Sequence, residues 1–402
     1  MSHSLLRYSI AAATLCLSLC SFDAQAKPSD PEPDGIQAGG FVIHPGADAG
    51  VSFNYENNSE YGSKKDGLVD ISAHLKTHLV DEEIRSWNNE VSLKWRQFWG
   101  IGSRNPDGGI NVRIATDADL LKKSIFRISP SASYTYVSEP EDENLRQDYK
   151  NHNISAGSAF IIQPGEGAIF SERISYRFNG HLYQDRSDIT NFAHRIESMT
   201  RWNFLPQTSM ALMIDFRITH YLEDSRGSVE NSDAYENSNS YPIRIKYSFQ
   251  GLLLDRLSYA LGAGYAYVYY SNSLKEHMFI MNAKLKYEFN ENVDISLEYR
   301  KDFETVVYGD YYKYHNVMLK FGALWFDHLK TDLDLGYSNF DYRSLDGNTR
   351  NDNLFSAQAN IYYHFFPGLK LGLEYKLRYN SSDLVVADYS RHLITLNLGY
   401  EY

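Results

Sequence analysis

Three arginines at matching positions are the side chains whose type and spacing suggest chemistry in this sequence. Arg177, Arg195 and Arg217 fall on three consecutive predicted strands, each about nine residues from the same end of its strand. Since a strand rises about 3.3 Å per residue, their guanidinium groups are expected at similar depth, as a basic ladder. Such a ladder can guide an anionic or hydroxyl-rich solute. Three further cations lie on the same wall, closer to that end of the strands: Arg201, Arg244 and Lys246.

The same arginines also have a purely structural interpretation. Glu197 and Asp215 share their face, and ion pairs with these two acids would brace the wall without contacting any solute. We favour bracing, because charges on the inner face of a barrel commonly serve solubility and stiffness. Neutralising the three arginines of the ladder and measuring ion selectivity separates the two interpretations.

The sequence contains no motif that indicates catalysis. It lacks Gly-x-Ser-x-Gly, His-Glu-x-x-His and a phosphate-binding glycine loop. His74 and His78 share one face of a predicted strand, but roughly 13 Å separates them, which is too far to share a metal ion. We therefore expect no enzyme, no cofactor and no metal site, with a membrane-barrel hydrolase as the remaining enzymatic alternative.

The elements that position these side chains are amphipathic strands. From 369 to 379, every odd position holds Leu or Tyr and every even position holds Lys, Gly, Glu or Arg. A helix of 3.6 residues per turn would not keep these two faces apart. The sequence contains eighteen such segments, with these approximate spans: 46–56, 68–80, 86–99, 109–120, 125–137, 149–162, 168–182, 190–204, 208–221, 239–249, 257–270, 277–289, 293–304, 312–326, 329–342, 353–365, 369–380 and 391–402.

The connections between these segments predict the fold class. They alternate between short turns and longer polar loops, as in transmembrane barrels with short periplasmic turns and long outer loops. Trp87, Trp99, Trp202 and Trp325 fall near strand ends on the outward face, where an aromatic girdle is expected. The prediction is all-β: one transmembrane antiparallel β-barrel with both termini periplasmic.

The strand count and the architecture each have an alternative. The barrel is predicted to have about eighteen strands, and sixteen are possible because Pro130 and Pro242 interrupt predicted strands. An array of secreted β-sandwiches is the alternative architecture.

The two ends of the chain predict an outer-membrane location in a Gram-negative bacterium. Arg7, the apolar run 10–19 and Ala24-Gln25-Ala26 form a secretory signal peptide over 1–26, with cleavage near Ala26. Both cysteines lie inside it. The last strand, 391–402, alternates in polarity and ends on Tyr402. It resembles the closing strand of outer-membrane barrels, which the barrel-assembly machinery reads.

Composition limits the remaining domains and partners. The barrel occupies 41–402, and 27–40 is a flexible N-terminal segment. The net charge of −12 argues against nucleic acid as a partner. The chain has 32 tyrosines and 21 phenylalanines, which suits a barrel face in contact with membrane lipid and lipopolysaccharide.

Three stretches of the sequence resemble one family. They are 201–208 with 212–216 and Tyr221, then 252–270, and the opening 42–45 with Gly50 and Val51. Each is similar to an element of the β-barrel porins encoded beside capsule and exopolysaccharide genes. The resemblance implies a channel that exports a surface polysaccharide, with periplasmic polysaccharide-export proteins as partners. Two alternatives stay open: an uptake porin for oligosaccharides or small solutes, and a non-conducting structural or adhesive barrel.

Overall fold

The fold is described by a computed structural model. It covers residues 35–59, 62–79, 85–99, 109–121, 124–138, 150–164, 168–184, 187–205, 207–222, 239–271, 275–305, 311–343 and 349–402. The predicted signal peptide, 1–26, lies outside the described residues. No α-helix within them is long and apolar enough to cross a membrane.

Nineteen strands and two 3-10 helices make up the described part of the chain. The helices are Ser187–Ile189 and Val385–Ala387. The strands are β1 (Ile36–Ala38), β2 (Phe41–Asn58), β3 (Gly62–Leu79), β4 (Arg85–Trp99), β5 (Gly109–Leu120), β6 (Phe126–Val137), β7 (Asn151–Ile162), β8 (Phe170–Tyr183), β9 (Asn191–Leu205), β10 (Thr208–Tyr221), β11 (Ser240–Leu254), β12 (Leu257–Tyr270), β13 (Lys275–Asn290), β14 (Val293–Thr305), β15 (Tyr311–Trp325), β16 (Leu329–Arg343), β17 (Thr349–Phe366), β18 (Leu369–Ser382) and β19 (Tyr389–Glu401).

Strands β2 to β19 close into a barrel. Each strand pairs antiparallel with the next, and β19 pairs back onto β2 from Tyr389 opposite Asn58 to Glu401 opposite Gly46. Closure leaves no long sheet edge with unpaired backbone groups. The predicted single antiparallel barrel of eighteen strands is therefore confirmed, and the alternatives of sixteen strands and of a β-sandwich array are wrong.

The two ends of the barrel differ in their connections. At one end the strands are joined by tight turns, such as 255–256, 291–292, 326–328 and 367–368. We call this end the turn rim, and both Phe41 and Glu401 lie there. The opposite end, the loop rim, has longer connections such as 138–150 and 222–239. The predicted alternation of short and long connections is confirmed along most of the chain, and one exception is the loop-rim connection 59–61, which is shorter than the turn-rim connection 80–84.

Alternation along each strand gives the barrel an apolar outer face. On β19, Ile394, Leu396, Leu398 and Tyr400 are 47, 53, 50 and 43% exposed, whereas the intervening Thr395 faces inward and bonds Ser52 Oγ at 2.8 Å. Large apolar side chains are similarly exposed on the outer face of the other long strands. A face of this composition needs an apolar medium around it.

Tryptophan marks the two edges of this apolar face. Trp87, Trp202 and Trp325 are exposed on the outer face near the turn rim, and Trp99 is exposed at the loop rim. Trp87 Nε1 donates to Thr116 Oγ1 at 2.8 Å, and Trp325 Nε1 donates to Thr331 Oγ1 at 2.9 Å. The indole N–H groups are thus satisfied beside an otherwise apolar surface.

The two internal prolines lie where the ladders are interrupted. Pairing of β5 with β6 skips from Asp117–Ser131 to Leu120–Ile128, and Pro130 lies in the gap. Pairing of β10 with β11 skips from Phe216–Ile243 to Thr219–Ser240, with Pro242 in that gap. Proline has no N–H to donate, so each ladder opens on that side while the strand continues. The prolines therefore do not reduce the strand count.

The N-terminal end of the barrel is more ordered than the sequence predicts. β2 begins at Phe41 rather than at residue 46 and continues through Pro45. Within the segment 27–40, for which we expected flexibility, β1 pairs with β2 from Ile36 opposite Ile43 to Ala38 opposite Phe41. Residues 27–34 lie outside the described part. β1 extends the sheet just beyond the end of β19, where β2 would otherwise have an open edge.

Candidate functional site: the barrel lumen

The inner face of the barrel is polar, and its charges are paired across neighbouring strands. Asp70 on β3 accepts hydrogen bonds from Arg96 Nε and Nη2 at 2.9 and 3.2 Å. Glu298 on β14 lies 3.0 Å from Lys284 Nζ and 3.1 Å from Lys320 Nζ, on the strands to either side. The lumen is therefore lined by both signs of charge, as strand alternation predicts.

The arginines of the predicted ladder lie at one depth. Strand register places Arg177 directly opposite Arg195, and Arg195 directly opposite Arg217. Arg177 is exposed to the lumen, while the other two are partly buried. Like charges opposite each other on neighbouring strands repel, so the surrounding acids decide how much charge the ladder presents.

Arg195 is the braced member of the ladder. Its Nε donates to Asp215 Oδ1 at 2.5 Å and its Nη2 donates to Glu197 Oε2 at 2.7 Å. Within the described residues, Arg177, Arg201 and Arg217 have no carboxylate within 4.0 Å. Arg195 is therefore the arginine of the ladder that braces the wall, and Arg177 is the one that is exposed to the lumen without a direct ion pair to a described residue.

Arg244 is the most enclosed cation among the described residues of the lumen. Its Nη2 donates to Phe303 O at 2.8 Å, and its Nη1 lies 3.5 Å from Asp215 Oδ2. Asp302 and Glu304 approach the same guanidinium to 3.5 and 3.8 Å. We call these residues, with Arg195 and Arg300, the lumen ion cluster. It connects β9, β10 and β11 with β14 across the inner face of β12 and β13.

This connection is possible because the loop end of β14 lies inside the barrel wall. Pairing of β13 with β14 ends at Met281 opposite Lys301, while β14 continues its pairing with β15 to Thr305. Phe303, which strand alternation would place outward, packs in a buried cluster with inner-face residues such as Ile280. Lys313 Nζ, opposite Phe303, reaches Glu276 on β13 at 2.9 Å. The hairpin end thus folds into the lumen.

Two apolar clusters fill the inner face near the loop rim. One surrounds Phe303 and includes Ala266, Val268, Tyr270 and Ile280. The other consists of Tyr312, Tyr314 and Phe340, with Tyr342 and Leu354 packed against it. Arg300 lies 5.5 Å from the ring centroid of Tyr314, and Arg350 lies 4.1 Å from that of Tyr342. These side chains occupy the inner face in the loop half of the lumen, along β12 to β17.

Gly264 is required where β11 and β12 approach closely. A Cβ at this position would lie 2.2 Å from Ile245 O and 2.8 Å from Lys246 Cα, both backbone atoms. We expect Gly264→Ala to destabilise the barrel by about 1–3 kcal/mol, because the backbone of β11 must move. Urea titration of the folded barrel in detergent measures this change. Gly322→Ala is the matched control, since its Cβ would lie 3.5 Å from the nearest atom, and equal effects of both changes would contradict the argument.

A second polar region lies at the turn rim. A cavity of about 850 Å³ is lined by residues of β2 to β5 and β17 to β19. His44 and His78 stack there with ring centroids 5.2 Å apart, and His74 lies 3.5 Å from Asp48 and 3.3 Å from Glu401. In the described part of the chain, no three His, Cys, Asp or Glu side chains are arranged to hold a metal ion. This cavity lies on the inner face at the turn rim of the barrel.

The sequence pattern predicted only some of the residues of the lumen ion cluster. Lys246 faces Met213 on the predicted wall, and Arg201 lies nearer the turn rim, as expected. Asp302 and Glu304 were missed, although alternation from Arg300 places them on the same face. Arg350 was missed because β17 begins four residues before the predicted strand. No sequence signal identifies Phe303 as an inward residue.

The comparisons with known proteins concern the fold. No protein-family model and no curated protein sequence matches the chain. OccK9 (OpdG) of Pseudomonas aeruginosa is 9% identical, with 90% of this chain and 98% of that chain covered and a TM-score of 0.52. A BenF-like porin from Pseudomonas fluorescens Pf-5 is 9% identical, with coverages of 90% and 99% and a TM-score of 0.50. OpdO of P. aeruginosa is 10% identical, with 90% of this chain and 97% of that chain covered and a TM-score of 0.50. The chain therefore shares its fold with barrels of this kind.

Proposed function

We propose that the protein is an outer-membrane channel for the uptake of small polar solutes. The observation that carries this proposal is the closed eighteen-strand barrel, with an apolar outer face and an ionised inner face. Barrels of this size enclose an aqueous lumen. The similarity in fold to a protein described as a BenF-like porin supports a channel rather than an enzyme. Short turns of outer-membrane barrels face the periplasm, so the turn rim, where the described barrel begins and ends, faces the periplasm in this proposal.

Uptake of small solutes fits the lumen better than passage of a polymer. The lumen ion cluster and the two apolar clusters narrow the loop half, and a polysaccharide chain would have to displace them. A small solute can pass beside them and exchange contacts with Arg177 and Arg217. The export function, with its periplasmic partners, rests on the resemblance in strand and turn motifs alone.

Conductance in planar bilayers tests the channel. We expect purified protein to insert and give stepwise currents, and proteoliposomes that contain it to swell in small sugars or amino acids but not in oligosaccharides. A barrel that inserts without conducting would support the structural or adhesive alternative. A deletion strain that loses its surface polysaccharide would support export instead of uptake.

Insertion of the protein into the outer membrane of cells also tests the prediction that the barrel-assembly machinery recognises β19.

Ion selectivity tests the guide function of the ladder. We expect Arg177→Ser with Arg217→Ser to raise the permeability of K⁺ relative to Cl⁻ roughly twofold or more, because two cations are removed from an aqueous lumen whose low-dielectric walls focus their field. Reversal potentials in a KCl gradient give this ratio. Lys301→Ser, which removes a cation from the outer face, is the control. A folded double variant with unchanged selectivity would leave these arginines without a role in guidance.

A further inference from the structure

Five histidines recur at one structural position on the outer face. Each lies within the first five residues of a strand that runs from the loop rim toward the turn rim, and two positions later comes an apolar residue that also faces outward. The five are His152, His194, His277, His315 and His392. These histidines lie on β7, β9, β13, β15 and β19, so the imidazoles form an interrupted belt close to the loop rim, over about two thirds of the barrel circumference.

Each of these histidines contacts a tyrosine of the preceding strand. The register is the same in every case, since the tyrosine lies opposite the residue two positions after the histidine. Four pairs are hydrogen-bonded from Oη to Nδ1, Tyr134–His152 and Tyr176–His194 at 2.8 Å and Tyr299–His315 and Tyr375–His392 at 2.9 Å. In the fifth, Tyr265 and His277 stack with ring centroids 5.9 Å apart.

The hydrogen bond determines what the imidazole presents to its surroundings. A tyrosine hydroxyl beside an apolar medium needs an acceptor, and Nδ1 provides it. The proton of the neutral ring is then on Nε2, which becomes a free donor. The belt therefore presents four N–H donors at one level of the outer face.

Other polar groups at this level fit a phosphorylated sugar. Lys65, Lys275 and Lys301 have outward register near the loop rim, and Asp341 is an acid in the same band. A cluster of outward amides lies on β16 and β17: Asn339 donates to Asn351 and Asn353 at 3.0 Å, and Tyr337 Oη donates to Asn353 at 2.7 Å. Ammonium and imidazole groups bind phosphate, whereas amides bind hydroxyls.

The opposite edge of the apolar face has a different composition. Trp87, Trp202 and Trp325 dominate it, and their indoles bond threonines of the wall or pack on other aromatic rings. Its ionised side chains include Glu172, which accepts hydrogen bonds from Ser198 and Thr200, and the exposed Arg256, whose Nη1 donates to Phe289 O at 2.5 Å. Among the described residues, the loop edge differs from the turn edge in its recurring Tyr–His pairs, and it is therefore the edge with a repeated set of imidazole donors.

We infer that the Tyr–His belt is a binding surface for the phosphate groups of a phosphorylated glycolipid in the leaflet at the loop rim. The inference rests on the membrane location in the proposed function but not on transport. The belt fixes the depth of the barrel, because each Nε2 donor bonds a headgroup phosphate oxygen at the same level. The lysines add charge attraction, and the asparagine cluster adds contacts to sugar hydroxyls.

Lipid titration tests this surface. The full mature barrel is titrated in mixed micelles with diphosphoryl lipid A, and bound lipid is counted by native mass spectrometry. We expect the variant with His152, His194, His315 and His392 replaced by Phe to bind about tenfold more weakly. The control, Trp87→Phe with Trp325→Phe, removes two donors at the turn rim and should stay within about twofold of the native barrel, since bonds to a neutral wall contribute nothing to an anion site.

Two further measurements make the outcome decisive. Phosphatidylglycerol, which has a phosphodiester but no phosphorylated sugar, should bind more weakly to the native barrel, and equal binding would overturn the inference. Unchanged affinity of the four-histidine variant for lipid A would do the same. Conductance of that variant in planar bilayers shows that it inserts, so loss of the belt is distinguished from failure of the channel. If the variant does not fold, replacing Tyr134, Tyr176, Tyr299 and Tyr375 by Phe removes the orienting hydrogen bonds instead, and unchanged affinity there also counts against the belt.

Discussion

Arg244→Ala is expected to destabilise the folded barrel by about 3–5 kcal/mol. The guanidinium is almost fully enclosed, as is its partner Asp215, with side-chain exposures of 5 and 2%. Removing it leaves the carboxylates of Asp215, Asp302 and Glu304 close together without their shared cation. It also leaves Phe303 O without its donor and opens a space beside the Phe303 ring, which the guanidinium carbon contacts at 4.7 Å from the centroid.

Urea unfolding of the barrel in detergent, followed by tryptophan fluorescence, measures this effect. Arg113→Ala is the matched control, because Arg113 is also a lumen arginine but its pair with Glu90 at 3.4 Å is exposed, with side-chain exposures of 51 and 36%. An exposed pair contributes about 0–1 kcal/mol. If both variants lost the same stability, burial of the lumen ion cluster would not be the cause.

The same change should also alter the channel. Arg244 connects the β11 wall to the folded-in end of β14, so its loss releases the hairpin from the neighbouring part of the wall. We expect a larger single-channel conductance for Arg244→Ala than for the native protein and no change for Arg113→Ala. A folded Arg244→Ala barrel with native conductance would show that the hairpin end does not set the constriction.

Ile174→Arg is expected to impair insertion and to destabilise the inserted barrel by about 2–4 kcal/mol. Ile174 is 47% exposed on the outer face of β8, within the apolar band. A guanidinium there would have to lie in hydrocarbon or distort the bilayer around it. Heat-modifiable gel mobility of outer-membrane fractions measures the folded fraction.

Ser175→Arg, one residue further along β8, is the control for this change. Ser175 lies on the inner face, opposite Glu197 of β9, so a new guanidinium at this position meets water and a carboxylate. The two variants introduce the same charge at the same depth on opposite faces. Equal loss of folded protein from both would argue against a lipid-facing outer surface.

Local chemistry explains how much of the fold could be read from the sequence. The period of two along β18 and β19 is a property of neighbouring residues, and it decides which face of a strand is apolar whatever the partner strand is. Turn residues mark where strands end, so the bounds of segments such as 109–120 and 257–270 could be predicted to within a residue or two. Pro130 and Pro242 were harder to interpret, because whether a proline breaks a strand or only one ladder depends on which side its missing N–H faces.

The candidate site was predicted less completely. Equal depth of Arg177, Arg195 and Arg217 followed from counting residues, since the register of neighbouring antiparallel strands follows from their shared turns. The sequence did not predict that Arg195 and Arg244 are buried, because their burial depends on where Asp215 and the end of β14 lie in space. Asp302 and Glu304 are distant from Arg244 in sequence.

The sequence by itself determined the strands, their faces, their number and the closing pattern of turns and loops, because each of these depends on residues only a few positions apart. The tertiary structure alone decided that β14 leaves β13 after Lys301 and brings Phe303 into the lumen, since that departure overrides alternation. It also decided which cations are neutralised. Packing between strands that are distant along the chain sets the burial of a charge, and no local pattern records that burial.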